Sequence, residues 1–115
     1  MKGYGIGILK DVQTGPQIVE YLERIDATLA PYGGRFIVHG GPADVREGTD
    51  PGVVIIIEFP DRARATRWYD SDAYQEILPL RTNNSTSIVL LIDGVDEDHR
   101  ATDVLAGADS SGPRP

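Results

Sequence analysis

Strand-like and helix-like stretches follow one another in the order strand, helix, strand, strand, helix, strand, which predicts an α+β chain built on one antiparallel sheet. Three observations carry this reading. The run Val53-Val54-Ile55-Ile56-Ile57-Glu58-Phe59 lies between Gly52 and Pro60. A continuous β-branched run suits an interior strand, because such side chains fit the pleat and leave no side for water. Ile18, Leu22, Ile25 and Leu29 recur at helical spacing, with Glu20, Glu23, Arg24 and Asp26 outside the stripe, the pattern of a helix that covers a sheet. A second helical region begins at Asp61 and carries Trp68, Tyr69, Tyr74 and Arg81.

Each element has local signals. Tyr4, Ile6 and Ile8 alternate with Gly5, Gly7 and Leu9, so the first strand has one bulky face and one nearly bare face. Glycines weaken a strand unless something approaches its backbone, here a packed helix or a ligand. Thr14 is placed to cap the first helix, with Pro16 in its first turn and Gln17 at the capping-box position. Pro31-Tyr32-Gly33-Gly34 ends that helix, since glycine accepts the left-handed conformation. Arg35 to His39 forms the second strand, with Phe36 and Val38 on one face and Arg35, Ile37 and His39 on the other. Gly40-Gly41-Pro42 breaks it, and residues 43–50 read either as a loop or as a short edge strand.

Pro60 cannot extend the β-branched strand, and Asp61 is a good N-cap, so the chain turns from strand to helix within two residues. Ser71 can cap a further short helix holding Tyr74, Ile77 and Leu78. Arg81 falls on the same helical face as Tyr74, Ile77 and Leu78, and a charge beside an apolar stripe needs a partner. Glu58, at the end of the buried strand, is the partner expected for it. Thr86 to Ile92 is the last strand. Residues 1–96 thus form one domain and residues 97–115 a polar tail, mobile from Ala106 on because it holds too few apolar residues to offset the ordering entropy.

The assembled order is that of a ferredoxin-like βαββαβ unit, a four-stranded antiparallel sheet with both helices on one face. The other face needs cover, and a second copy of the same sheet supplies it. A homodimer enclosing a shared α/β barrel follows.

At 115 residues the chain is long enough for a single core. Its net charge of -7 argues against nucleic acid or an anionic membrane as the main partner. The chain has no cysteine, which removes disulfides and thiolate metal sites and fits the cytoplasm. No run is long and apolar enough to span a bilayer.

Tyr32-Gly33-Gly34-Arg35-Phe36, Gly40-Gly41, Glu47-Gly48, Glu58-Phe59-Pro60, Trp68-Tyr69-Asp70-Ser71, Tyr74 and Arg81 resemble the pattern of the bacterial domain-of-unknown-function family thirteen-thirty. The resemblance runs from about Tyr4 to Val95. It implies a ferredoxin-like protomer of the dimeric α+β barrel superfamily, whose wider membership includes cofactor-independent monooxygenases acting on aromatic polyketides, muconolactone isomerase and chlorite dismutase-like haem proteins. Similar proteins often carry Arg before the Gly pair, where this chain has His39.

The candidate catalytic residues are His39, Glu58 and Arg81. Arg81 can anchor a substrate carboxylate or enolate, and Glu58 or His39 can accept a proton. The alternative for Glu58 and Arg81 is a structural ion pair locking the second helix to the sheet. Tyr4, Trp68 and Tyr74, with Tyr21 and Tyr69, can line a pocket for a flat organic molecule or fill the core. No metal spacing is present, a haem would need His39 as its axial ligand and nothing else suggests one, and the glycine pairs do not form a phosphate loop. Two functions follow. One is an enzyme without cofactor performing proton transfer, isomerisation or oxygenation on a small aromatic or unsaturated organic acid or polyketide-like molecule. The other is a non-catalytic dimer that binds a small hydrophobic ligand or serves as an assembly module.

Overall fold

The β-branched run and the Gly-alternating strand take the middle of the sheet. The computed structural model describes residues 1–106. Its elements are β1 (Gly3–Lys10), α1 (Pro16–Leu29), β2 (Arg35–His39), β3 (Val53–Phe59), α2 (Arg62–Asp70), α3 (Asp72–Thr82), β4 (Thr86–Asp93) and a last helical turn, α4 (Asp103–Ala106). The strands form one antiparallel sheet in the order β2-β3-β1-β4. This is the ferredoxin-like α+β fold, with α1, α2 and α3 on one face.

Helix α1 begins differently from the expected Thr14 cap. Gly15 is the cap residue and makes no side-chain bond, while Pro16, with its preset φ, opens the helix. The helix ends in a 3-10 turn, Ala30–Tyr32, closed by Gly33 at φ 69°. Its buried stripe is Ile18, Tyr21, Ile25, Thr28 and Leu29, so Tyr21 takes the inward place expected of Leu22. The caps of the other two helices form as anticipated. Asp61 accepts from the Arg64 backbone N–H at 2.8 Å, and Ser71 Oγ accepts from that of Tyr74 at 3.2 Å. Residues 43–50 contain no strand.

The core lies between the helices and one face of the sheet. Phe59 is completely buried, and Leu29, Trp68, Tyr74 and Ile77 surround it. Trp68 Nε1 donates to Thr28 Oγ1 at 2.9 Å, and that hydroxyl donates to the Ile25 carbonyl at 2.6 Å. The indole therefore ties α2 to α1 with its only polar atom satisfied.

Strand β2 departs from simple alternation. Phe36 pairs with Ile57 and Val38 with Ile56, so a bulge at Ile37 inserts one residue into the strand. One extra residue reverses every facing beyond it. Val38 joins Arg35 on the helix-free face, and His39 joins Phe36 on the helix side, their rings stacked at 4.1 Å. The expected assignment of His39 to the face of Arg35 is corrected by this bulge.

The helix-free face is apolar and open. Ile88, Leu90 and Ile92 on β4 are exposed, as is Val38 at the other edge. Ile6, Ile8, Val54 and Ile56 between them are half-buried. The tail continues past β4 with exposed residues and the short α4. The mobility expected from Ala106 falls almost wholly on residues outside the described ones, and Ala106 itself ends α4.

Replacing Phe59 removes the most buried ring in the core. Phe59→Ala should lower the unfolding free energy by about 3–5 kcal/mol, measured by urea denaturation with Trp68, 5.5 Å from the Phe59 ring, as the fluorescent reporter.

Candidate functional site

The bare face of β1 looks into the space beneath the helices. Gly5, Gly7 and Leu9 alternate inward with neighbours Ile57, Ile55 and Val53 on β3 and Leu91, Val89 and Ser87 on β4. Above this floor lies a cavity of about 370 Å³, within the usual range for a ligand cleft. Helix α1 walls it with Ile18, Tyr21, Leu22 and Ile25, and α2 and α3 contribute Trp68, Tyr74 and Arg81. Phe36 and His39 close the β2 side. The wall is mainly apolar, and its ionisable members are Tyr21, His39, Tyr74 and Arg81, with no carboxylate among them.

Arg81 is the central polar feature. It is 4% exposed, held inward because it falls on the same stripe of α3 as Tyr74 and Ile77. Its Nη1 donates to Ser87 Oγ at 2.5 Å, and its guanidinium carbon lies 6.0 Å from the centre of the Tyr21 ring. Among the described residues no carboxylate lies within ion-pairing distance of it. No fully buried side-chain nitrogen or oxygen among them lacks a partner, so the guanidinium N–H groups beyond the Ser87 bond either meet the phenols or open to the cavity. Burial works to lower the Arg81 pKa, but the nearby Tyr74 and Tyr21 oxygens outweigh it, and the net shift is upward. The group stays a cation.

The two phenols form a pair, with Tyr21 Oη and Tyr74 Oη 2.7 Å apart and both residues buried. One hydroxyl donates to the other, so the second keeps its hydrogen for a further acceptor. Burial, followed by the adjacent Tyr74 oxygen, holds the Tyr21 phenol well above the ordinary tyrosine range, against the opposing pull of Arg81. Tyr21 therefore stays protonated and can donate a hydrogen bond.

The six residues singled out by the sequence separate into two groups. Arg81, Tyr74 and Trp68 all line the cavity, and His39 stands exposed on its β2 side. Glu58 and Tyr4 lie on the other face of the sheet. The expected Glu58–Arg81 pair does not form. Ser87, which holds Arg81, pairs with Leu9, whereas Glu58 pairs with Tyr4, five residues along β1, roughly 17 Å away. Alternation of the pleat separates them further, one below the sheet and one above.

Glu58 has its own partners. Arg35 Nε and Lys2 Nζ donate to its Oε1 at 3.1 and 3.4 Å, and Tyr4 Oη donates to Oε2 at 3.5 Å. Partial burial pushes its pKa up, but Arg35 and then Lys2 pull it down further, and the net shift is downward. This is a surface ion network at one end of the open face.

Ser87 was not among the sequence candidates for the site, and Tyr21 was named only as one of five aromatics that could line a pocket or fill the core. Tyr21 sits three residues after Ile18 and four before Ile25, so the helical stripe carried a signal for it. Ser87 carried none, since only the β1–β4 register brings it beneath Arg81.

The family model described as "Domain of unknown function (DUF1330)" matches residues 2–95. The chain belongs to this DUF1330 family. The match covers the whole sheet and the three helices that wall the cavity. No curated protein matches the sequence. Among solved structures, the DUF1330 chain is similar to a protein of unknown function from Rhodopseudomonas palustris, at TM-score 0.62 and 15% identity over 83% of each chain. It is similar to a dimeric ferredoxin-like protein of unknown function from Jannaschia sp. CCS1, at TM-score 0.58 and 15% identity over 82% of this chain and 100% of that one. It is also similar to SnoaB, a cofactor-independent oxygenase from Streptomyces nogalater, at TM-score 0.55 and 17% identity over 83% of this chain and 94% of that one. At these identities the likeness is one of fold. Among the described residues no helix is long and apolar enough to cross a membrane, and no group of three or more His, Cys, Asp or Glu is placed to hold a metal ion.

The depressed Glu58 pKa makes a signed prediction. Its contribution to stability is complete above the ordinary carboxylate pKa of about 4.3 and is lost as pH falls through its lower folded value. Thermal melts should therefore show Glu58→Gln less stable than the wild type at neutral pH, with the difference shrinking below about pH 4 and vanishing in stronger acid.

Proposed function

We propose that the cavity between sheet and helices binds a small aromatic or unsaturated organic acid, or a polyketide-like molecule, and that the protein acts on it without a cofactor. The observation that carries this reading is Arg81. A buried guanidinium without a carboxylate costs several kcal/mol, and an anionic ligand in the adjoining apolar cavity supplies the missing charge. The carboxylate or enolate oxygen of the ligand lies against Arg81 and the free hydroxyl of the Tyr21–Tyr74 pair. Trp68 and Tyr74 offer aromatic surface to its ring.

The chemistry is proton transfer, isomerisation or oxygenation with molecular oxygen as the oxidant, and in each the negative charge that develops on a carbonyl or enolate oxygen is what the site can stabilise. Donors fixed in a dry site stabilise that charge without reorganising. His39, on the β2 side, accepts the proton. Glu58 has no part in this scheme, because it lies across the sheet. The fold shared with a cofactor-independent oxygenase supports the enzymatic reading. A second reading, binding without catalysis, is favoured by the position of His39, which is exposed and two strands away from β1. The cysteine-free chain suits the cytoplasm.

The protein is also proposed to act as a homodimer. The exposed Ile88, Leu90, Ile92 and Val38 and the half-buried residues between them make one apolar sheet face. Two such faces pack together as in a sandwich, and a solved relative of this fold is described as dimeric.

Two measurements test these readings. Trp68 is the single tryptophan of the chain and lines the cavity, so its fluorescence reports the site. Naphthoate should bind about tenfold to a hundredfold more weakly to Arg81→Met than to the wild type, while the melting temperature holds or rises because a buried unpaired charge has been removed. Equal binding of naphthoate and neutral naphthalene-methanol by the wild type would overturn the role of Arg81. In sedimentation velocity at micromolar concentration, the wild type should run as a dimer and Leu90→Glu as a monomer, since a charge on this apolar face cannot be buried unpaired.

A further inference from the structure

The three inward glycines of β1 have different causes. At Gly3 a Cβ would lie 2.4–2.6 Å from the backbone of Asp61 and Arg62, so the start of α2 packs directly on the strand and excludes any side chain. Gly5 and Gly7 are not confined in this way. A Cβ at Gly5 would meet Leu91 Cδ2 at 3.5 Å and Phe59 Cε1 at 3.7 Å, and one at Gly7 would meet Leu9 Cδ1 at 3.5 Å and Ile55 Cβ at 4.0 Å. Those are ordinary contacts. Neither residue has a positive φ, so the backbone does not call for glycine either.

An interior glycine nevertheless weakens a strand by about 0.5–1 kcal/mol relative to alanine, and a β-branched residue would suit the position better still. Packing and conformation both leave this cost unexplained at Gly5 and Gly7. What lies over them is the cavity, whose wall includes both residues.

The register shapes the empty space. Gly5 and Gly7 lie side by side with Ile57 and Ile55 on β3 and with Leu91 and Val89 on β4. Two rows of side chains thus rise on either side of bare backbone, on strands roughly 10 Å apart. The result is a trough along β1, with the Arg81–Ser87 pair one row further on, at the level of Leu9. A carbon standing where either Cβ would be has its nearest neighbours at 3.5–4.0 Å, ordinary contact distances for an atom of a flat ring.

We propose that Gly5 and Gly7 are specificity-determining residues of this site: their missing side chains form a slot that takes the flat ring of the acid whose charge meets Arg81. This rests on the reading of the cavity as an organic-acid site. It adds to that reading where the ring lies, that the ring is planar, and which residues limit its size.

The test is a graded series, Gly7→Ala and Gly7→Val, with Gly5→Ala alongside. Each variant is titrated with naphthoate, its saturated counterpart decahydronaphthoate, and the smaller benzoate, using Trp68 fluorescence and calorimetry, and each is melted. The expected result is a melting temperature equal to or above wild type. Naphthoate affinity should fall in the order wild type, Gly7→Ala, Gly7→Val, by about tenfold or more at valine, with a smaller loss for benzoate. Wild-type protein should prefer naphthoate to decahydronaphthoate.

Unchanged naphthoate binding in Gly7→Val would overturn the slot, as would equal wild-type affinity for the flat and puckered acids. In both cases the Arg81 reading stands. Should Gly7→Val fail to fold, the same comparison is made on Gly7→Ala and Gly5→Ala, where each added methyl meets only ordinary contacts. A lower melting temperature in both alanine variants would show that packing requires the glycines, and would sink the proposal. Absence of binding by all three acids to the wild type overturns the organic-acid reading and the slot with it.

Discussion

Strand β1 lies between β3 and β4 and presents Tyr4, Ile6 and Ile8 to one face of the sheet and Gly3, Gly5 and Gly7 to the other. The constraint set by this alternation reaches through the whole molecule. On the glycine side α2 packs directly on Gly3, whereas over Gly5 and Gly7 a cavity remains between the sheet and the helices. On the bulky side Ile6 and Ile8 join Val54, Ile56, Ile88 and Leu90 in an apolar surface that no helix among the described residues covers. One strand with period-two patterning thereby supplies both a ligand-sized void and a face suited to a second copy of the chain.

Charge is handled differently on the two faces. Glu58, at the end of the open face, is surrounded by Arg35, Lys2 and Tyr4 and is satisfied within the protomer. Solvent reaches the two cations, so the network contributes little and is screened by salt. Arg81 is the reverse case. It is buried in an aromatic setting, bonded to a serine hydroxyl and flanked by two phenols. Uncharged donors and acceptors can orient a guanidinium but cannot neutralise it. In a chain whose formal charge is -7, this buried cation is kept apart from every described carboxylate, and the proposed anionic ligand rests on that separation.

The bulge at Ile37 decides which way His39 faces. Without the inserted residue His39 would face away from the helices, and its ring could not stack on Phe36. With it, the last side chain of an edge strand turns back towards the cavity. Bulges at sheet edges commonly re-aim a side chain in this way.

The sequence by itself determined the order of elements, the positions of β3 and α1, the Asp61 and Ser71 caps, and the inward direction of Arg81. These depend on periodicity and on short-range chemistry, which neighbouring residues carry between them. The tertiary structure alone decided that Glu58 and Arg81 stand on opposite faces, that Tyr4 leaves the cavity while Tyr21 enters it, and that His39 reverses at a bulge. It also decided that Gly3 is packed against α2 while Gly5 and Gly7 line the cavity, where an added Cβ would meet only ordinary contacts, although all three look alike in the chain. Such distinctions arise from strand register and from the distance between a helix and a sheet, which are set by contacts between residues far apart in sequence, and no local pattern encodes them.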